Sequence, residues 1–213
     1  MTHPMRGGLV RAAAALLVVA LLGACSTPVP DRQKNLCAVF DQFPEWYDHA
    51  LASRKRWGTP IPIQMSIIHH ESGYRSHVRP PRRWFLGIIP LGRPSTAKGY
   101  AQAISPAWKD YTSERGGTFR SRTDMEDALD FVGWYNYKSW KGLGIPRTDA
   151  RRLYLAYHEG RRGYARGSWK KKPAVRSAAD RVAATAERYA AQLKRCESRF
   201  RCDSWYQFWP FCS

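Results

Sequence analysis

One carboxyl side chain, that of Glu71, ends an apolar segment in a way that suits acid catalysis. The segment begins at Ile61, and Gly73 follows two residues after the carboxyl, so the pattern predicts a helix that ends near Glu71. A carboxylate at that end faces the negative end of the helix dipole, and apolar neighbours strip away its water. Both effects disfavour the ionised form and raise the pKa. We therefore predict that Glu71 is a general acid at neutral pH.

The first 24 residues have the pattern of a secretory signal peptide. Two arginines accompany an uninterrupted apolar run from Ala12 to Leu22, which is too short to span a bilayer. Residues 22–25 resemble the lipobox of bacterial lipoproteins, and the resemblance implies cleavage before Cys25 and lipidation of its sulfur. An ordinary signal peptide cleaved after Ala24 is the alternative. The following serine usually accompanies outer-membrane sorting, so we predict a bacterial envelope protein that a lipid anchors to the periplasmic face of the outer membrane.

Four cysteines remain after Cys25 is assigned to the lipid. An even number in an exported chain indicates two disulfides, and three pairings are possible. We favour Cys37 with Cys196, which would join the two ends of the domain, and Cys202 with Cys212, which would close the aromatic tail. A metal site is disfavoured, because no Cys-x-x-Cys pair is present.

The chain is strongly basic, with a formal net charge of +18 in 213 residues. Such a field draws a protein toward anionic surfaces. Export removes nucleic acid as a partner and leaves anionic cell-wall polymer or lipid headgroups. The basic residues are spread over several small clusters, so a generic solvated surface is as compatible with the pattern as a dedicated binding site.

The remaining pattern is mostly helical and predicts an all-α domain with minimal β-structure. After a tether at 25–34, the domain spans 35–198 and a tail spans 199–213. A loop with four prolines occupies 76–98, and no segment alternates convincingly like a strand. In the last helix, Val182, Ala186, Tyr189 and Leu193 share one face. The predicted helices are 35–57, with a possible break at Pro44, then 62–71, 105–115, 124–138, 149–158 and 178–196.

Three short motifs follow one another in a fixed order along this chain. They are Glu71-Ser72, then Gly99-Tyr100-Ala101-Gln102, then Ala156-Tyr157-His158-Glu159-Gly160 with Gly163-Tyr164 after it. Together they resemble the motif set of lytic transglycosylases with the soluble-lytic-transglycosylase domain, a branch of the lysozyme-like superfamily. The resemblance covers about residues 60 to 195. It implies a lysozyme-like helical fold, similar to goose-type lysozyme, that acts on peptidoglycan glycan strands without a metal or cofactor.

The resemblance also implies a role for each motif residue. Glu71 would protonate the β-1,4 glycosidic oxygen between N-acetylmuramic acid and N-acetylglucosamine, and its carboxylate would then take the proton of the muramyl C6 hydroxyl, giving a 1,6-anhydro end. His158 stands where the family usually has Asn, although an imidazole can donate and accept hydrogen bonds much as an amide does. The residues expected to bind or orient the sugar are Ser72, Tyr100, Gln102, Tyr157, His158 and Tyr164, with Tyr100 and Tyr164 offering flat ring faces.

Two other functional classes remain open from the sequence. A hydrolase similar to goose-type lysozyme would need a second carboxylate to activate water, and Asp110, Glu114 or Asp124 could supply it. A wall-binding lipoprotein without activity is the third possibility. A zinc-protease motif is disfavoured, because Tyr74 stands where the second histidine after His70-Glu71 would be required.

Overall fold

The computed structural model describes residues 28–86, 88–117 and 119–201. Within them the chain is mostly helical, as predicted, with one two-stranded hairpin. The predicted signal peptide, Cys25, Cys202 and Cys212 lie outside the described residues. The elements in chain order are α1 (Leu36–Gln42), α2 (Pro44–Trp57), α3 (Ile61–Ser72), β1 (Arg83–Phe85), β2 (Ile89–Gly92), α4 (Ser105–Arg115), α5 (Met125–Leu143), α6 (Ala150–Ala165), a 3-10 turn (Ser168–Lys171), α7 (Pro173–Cys196) and a second 3-10 turn (Glu197–Arg199).

The predicted break at Pro44 is confirmed. Asn35 caps α1 by accepting a hydrogen bond from the backbone N–H of Ala38, and the N–H of Phe43 donates to the Val39 carbonyl where α1 ends. Pro44 then occupies the first turn of α2, where its missing N–H costs nothing. The proline therefore separates two helices instead of kinking one.

Helix α3 is the central element, and most of its residues are buried. It packs against α7, α5 and α2, and it ends where Gly73 adopts a left-handed conformation with φ of 58°. A helix covered on several sides is apolar around most of its circumference, which explains why the residues from Ile61 to Ile68 are mainly apolar. The burial of α3 fixes the position of the carboxyl group at its end.

Helices α5 and α6 lie beside α3, on the side of the fold where the chain forms a cleft. Asp124 and Asp149 cap them by accepting hydrogen bonds from backbone N–H groups one turn into each helix. Helix α6 is interrupted at Gly160, whose φ of 73° and ψ of 152° are not helical. The chain therefore changes direction directly after the motif that contains Tyr157.

Helix α7 buries the apolar face that its sequence predicts. Val182, Ala186, Tyr189 and Leu193 are all buried, and the helix begins five residues earlier than predicted, at Pro173. The predicted disulfide between Cys37 and Cys196 is present, with Cα atoms 6.1 Å apart and a sequence separation of 159. It joins α1 to the end of α7.

The segment 76–98, predicted to be a loop, contains a short antiparallel hairpin. Strands β1 and β2 pair in the register Phe85 with Ile89 and Trp84 with Pro90, with an irregularity between Arg83 and Trp84. The strands are too short to show alternation in the sequence, and a proline within β2 hides the pattern further. None of the described helices is long and apolar enough to cross a membrane.

Candidate active site

A cleft of about 430 Å³ opens beside the end of α3 and contains Glu71. One side is formed by the segments that lead into and out of the hairpin, and the other by α5 and α6. The loop before α4 and the first turn of that helix also contribute lining residues. The lining residues are Glu71, Pro80, Ser95, Ala97, Gln102, Ala103, Ile104, Ala107, Phe131, Tyr135, Tyr157, His158, Glu159 and Gly160.

The pKa of Glu71 is raised, as the sequence predicts, and the cause is burial. Burial raises the pKa of Glu71 to about 7, and a hydrogen bond from the Tyr154 hydroxyl acts in the opposite direction. The side chain is still partly exposed, so a ligand in the cleft can reach it. A carboxyl group with a pKa near neutrality can both give and regain a proton at physiological pH.

Gln102 fastens the hairpin segment to the cleft. Its amide nitrogen donates to the carbonyl of Val78 at 2.9 Å and to that of Gly99 at 2.8 Å. Its backbone has a φ of 47°, which is unusual for a residue with a side chain. Because the amide nitrogen is occupied, the side-chain carbonyl oxygen is the group that Gln102 offers to a ligand.

Gly99 is required by a close backbone approach. A Cβ atom at this position would lie 1.8 Å from the carbonyl oxygen of Arg122, and φ is 79°. The same carbonyl accepts a hydrogen bond from the N–H of Tyr100 at 3.2 Å. The glycine of the Gly-x-x-Gln motif therefore lets the loop that carries Gln102 lie directly against the segment before α5.

Tyr157 connects α6 to the same loop. Its hydroxyl donates to the carbonyl of Ala101 at 2.5 Å, and its ring packs edge-on against Tyr135 with centroids 5.1 Å apart. Both rings line the cleft. Tyr157 thus joins the second and third sequence motifs in space, as the resemblance requires.

His158 and Glu159 lie side by side at the cleft. The Nδ1 atom of His158 is 3.2 Å from a carboxylate oxygen of Glu159, and 44% of the histidine side chain is exposed. Only 3% of the Glu159 side chain is exposed. Its oxygens accept hydrogen bonds from Ser168 and, at 2.9 and 3.0 Å, from Lys172. Burial acts to raise the pKa of Glu159, but these hydrogen bonds outweigh burial and lower the pKa.

Three residues expected to bind sugar lie elsewhere. Ser72 is buried, and its hydroxyl donates back to the Ile68 carbonyl at 3.2 Å within the helix. Tyr100 is only 1% exposed and packs edge-on against Trp46, so its ring belongs to the core. Tyr164 stacks on Trp169 with an interplanar angle of 18° and does not line the cleft. The motif pattern does not distinguish residues that support the site from residues that reach its surface.

The carboxylates proposed from the sequence for a hydrolase are not in the cleft. Asp110 is exposed on α4, Glu114 pairs with Lys138 at 2.9 Å, and Asp124 caps α5. Among the described residues, Glu71 and Glu159 are the carboxyl groups that line the cleft. The described part of the chain also contains no cluster of three His, Cys, Asp or Glu side chains suited to a metal ion.

Sequence reasoning missed Tyr154 and Glu159. Tyr154 lies one helical turn before Tyr157, so the spacing of the two tyrosines was a signal that both face Glu71. Glu159 stands inside the third motif, but its partners Ser168 and Lys172 come from the 3-10 turn and the residue that follows it. Nothing in the sequence indicates that this turn folds back onto the cleft.

A helical domain with a protonatable glutamate at the end of a buried helix, beside a cleft with tyrosines along its wall, defines a lysozyme-like glycan-cleaving class. The profile of the transglycosylase SLT domain family matches residues 13–196. The chain therefore belongs to the transglycosylase SLT domain family, and it is an enzyme of the lytic transglycosylase type that acts on peptidoglycan. Comparison with curated proteins and with solved structures found no match.

Proposed function

We propose that the protein cleaves the β-1,4 bond between N-acetylmuramic acid and N-acetylglucosamine without water, leaving a 1,6-anhydro-N-acetylmuramic acid end. Glu71 donates its proton to the glycosidic oxygen as the bond from C1 breaks. The resulting carboxylate then takes the proton of the muramyl C6 hydroxyl while that oxygen bonds to C1. Glu71 ends protonated, so one residue completes the cycle. Acid-base assistance of this kind is typically worth about 10²–10⁴-fold in rate.

The observation that carries the proposal is the contrast between the two carboxyl groups in the cleft. Glu71 has a pKa of about 7 and remains partly exposed. Glu159 is almost fully covered, and Ser168, Lys172 and His158 occupy its oxygens. A hydrolase that uses a second carboxylate needs one free to activate water. The cleft therefore suits a reaction in which a single carboxyl group serves both steps.

The remaining cleft residues would bind and orient the sugar. The free carbonyl oxygen of Gln102 suits an N–H or hydroxyl donor of the glycan, and the exposed imidazole of His158 suits a hydroxyl group. The Tyr157 ring supplies a flat apolar wall, while its hydroxyl is used to hold the loop at Ala101. The Tyr154 hydroxyl would stabilise the ionised form of Glu71 through its hydrogen bond.

We further propose that the enzyme acts in the bacterial cell envelope. The signal-like segment before residue 25 would direct export, and lipidation of Cys25 would anchor the chain to the periplasmic face of the outer membrane. The Cys37–Cys196 disulfide supports export, because disulfides persist in oxidising compartments. Metabolic labelling with a clickable fatty acid, compared between the unchanged chain and Cys25→Ala, tests the anchor directly. Label retained on the Cys25→Ala variant would exclude it.

Mass spectrometry of fragments released from purified peptidoglycan tests the reaction. We expect muropeptides with anhydro ends from the unchanged chain and none from Glu71→Gln. Glu114→Gln is the matched control, since Glu114 lies outside the cleft in a pair with Lys138, and it should retain activity. Reducing ends in place of anhydro ends would replace the proposal with the hydrolase, and the absence of fragments would favour a wall-binding protein.

A further inference from the structure

The hairpin beside the cleft carries aliphatic side chains that the described part of the chain leaves uncovered. Leu86 is 77% exposed, Ile88 is 76% exposed and Leu91 is 63% exposed. These three residues, named here the apolar tip, lie within six positions of one another in sequence. Elsewhere in the described residues the exposed large apolar side chains, Ile104, Phe119 and Trp140, are widely separated in sequence. A concentration of exposed apolar residues indicates a contact surface.

Cationic side chains flank the apolar tip on both sides. Arg82 and Arg83 precede it, Arg79 stands a few residues earlier, and Arg93 follows it, and all four are exposed. The sequence contains no acidic residue between Glu71 and Asp110. The hairpin therefore has an apolar tip, and every charged residue that flanks the tip is cationic.

This combination distinguishes a lipid surface from a glycan strand. Leu86, Ile88 and Leu91 are aliphatic, and they offer a hydrated sugar chain neither a ring face nor a hydrogen-bonding group. A bilayer interface accepts aliphatic side chains below the headgroups and attracts arginines to its anionic lipids. We propose that the hairpin docks on an anionic bilayer surface, with Leu86, Ile88 and Leu91 in the acyl boundary and the arginines at the headgroups.

The base of the hairpin gives this docking a consequence for the enzyme. Pro80 lies before β1 and Ser95 after β2, and both line the cleft that contains Glu71. Gln102 holds the first of these segments through Val78, and Arg122 holds the second through the Thr96 carbonyl at 2.9 Å. A hairpin seated on the bilayer would therefore keep the mouth of the cleft close to the membrane and limit cleavage to nearby glycan.

Hydrogen–deuterium exchange of the full chain tests the proposal, because it reports on the hairpin separately from other contacts with lipid. Exchange in the peptides covering residues 82–93 is measured with vesicles of phosphatidylcholine and with vesicles that also contain phosphatidylglycerol. We expect slower exchange in these peptides on the anionic vesicles and little change on the neutral ones. No slowing on anionic vesicles, or equal slowing on both kinds, would overturn the proposal.

Paired variants assign the effect to the apolar tip. The double variant Leu86→Ser, Ile88→Ser should lose the protection, whereas Phe119→Ser should keep it, because Phe119 is 97% exposed but lies outside the hairpin. All three side chains are exposed, so the unfolding temperature should change little and serves as the folding check. Protection that survives the double variant would contradict the proposal.

A second pair tests the arginines. In Arg82→Gln, Arg83→Gln, the phosphatidylglycerol concentration for half-maximal protection should rise roughly fivefold per arginine. Lys170→Gln, Lys171→Gln removes the same charge from an exposed turn remote in sequence and should leave that concentration unchanged. If both pairs of substitutions raised that concentration equally, the attraction to lipid would be non-specific and the proposal would be refuted. Protection by glycan fragments without lipid would instead make the hairpin a flap over the substrate.

The inference does not depend on the proposed reaction. The exchange experiment follows the backbone of the hairpin and requires no turnover, so Glu71→Gln should dock as the unchanged chain does. Loss of anhydro products without loss of protection would refute the reaction alone. Loss of protection with intact product formation would refute the docking alone.

Discussion

The hydroxyl of Tyr154 donates a hydrogen bond to the carboxyl group of Glu71 and lowers its pKa against the larger effect of burial. The balance leaves the pKa at about 7. Burial alone would raise the pKa further, whereas a fully solvated carboxyl group would have the lower, ordinary pKa. The pair therefore sets the pH range in which one residue can act as acid and then as base.

Removing that hydroxyl should shift the pH dependence of activity upward. In Tyr154→Phe the hydrogen bond that stabilises the carboxylate is lost, so the pKa of Glu71 rises. Because Glu71 must enter the reaction protonated, the fall of activity on the alkaline side should move to higher pH. The measurement is the initial rate of anhydro-muropeptide release as a function of pH.

Tyr111→Phe provides the matched control for this shift. The Tyr111 hydroxyl also donates to a carboxylate, that of Asp130 at 2.8 Å, but neither residue lines the cleft. Its removal should lower stability and leave the shape of the pH profile unchanged. An alkaline limb that stays in place in Tyr154→Phe, or moves to lower pH, would contradict the assigned role.

The raised pKa of Glu71 should also appear in the pH dependence of stability. The folded state holds this proton up to pH about 7, whereas the unfolded chain releases it near the ordinary value of 4.5. Between those values the folded state binds more protons, so the free energy of unfolding falls as pH rises. At pH 8 the penalty is on the order of 2 kcal/mol after allowance for the partial exposure of the side chain.

Glu71→Gln should remove that penalty. The amide is neutral throughout, so urea unfolding should show the variant more stable than the unchanged chain at pH 8 and similar to it at pH 4. Glu187→Gln, an exposed substitution on α7, corrects for the general effect of losing a carboxylate. A difference between Glu71→Gln and the unchanged chain that does not vary with pH would refute the assignment.

Gly99 should be intolerant of any side chain. In Gly99→Ala the added Cβ would meet the Arg122 carbonyl at 1.8 Å, and φ of 79° is unfavourable for alanine. We expect a loss of several kcal/mol in unfolding free energy, roughly the 3–5 kcal/mol of the most severe single substitutions. Gly142→Ala is the control, because it lies in α5 with nothing within 4 Å of the new atom. It should stabilise by about 0.5–1 kcal/mol.

The helical framework was largely predictable because local signals agree with tertiary packing. The break at Pro44 and the apolar face of α7 each depend on signals within a few residues, and the structure confirms both. Glu71 was predictable for the same reason, since a buried helix must be apolar and its end is marked by Gly73. The Cys37–Cys196 disulfide was one of three possible pairings, favoured because it joins the two ends of one domain, and the structure contains it.

The surroundings of the acid were not predictable to the same degree. Whether Tyr100 faces the core or the cleft depends on Trp46, which lies 54 positions away in sequence. The partners of Glu159 depend on a 3-10 turn that follows a non-helical glycine. Contacts of this kind arise from the three-dimensional arrangement of elements, and a motif does not encode them.

Glu159 should hold His158 in one tautomer, and the loss of that control should reduce activity. A carboxylate only accepts hydrogen bonds, so the Nδ1 atom 3.2 Å away must carry a proton, and in the neutral imidazole this leaves Nε2 as an acceptor for substrate. Imidazole ¹⁵N chemical shifts should show the Nδ1–H form of His158 in the unchanged chain. Glu159→Gln should weaken this preference. It should also lower activity about 5–10-fold, because one oriented hydrogen bond is worth about 1–1.5 kcal/mol. In a His158→Asn background the same substitution should cost much less, because an amide has no tautomer to fix. Equal losses in both backgrounds would mean that Glu159 acts only by holding Ser168 and Lys172 in place.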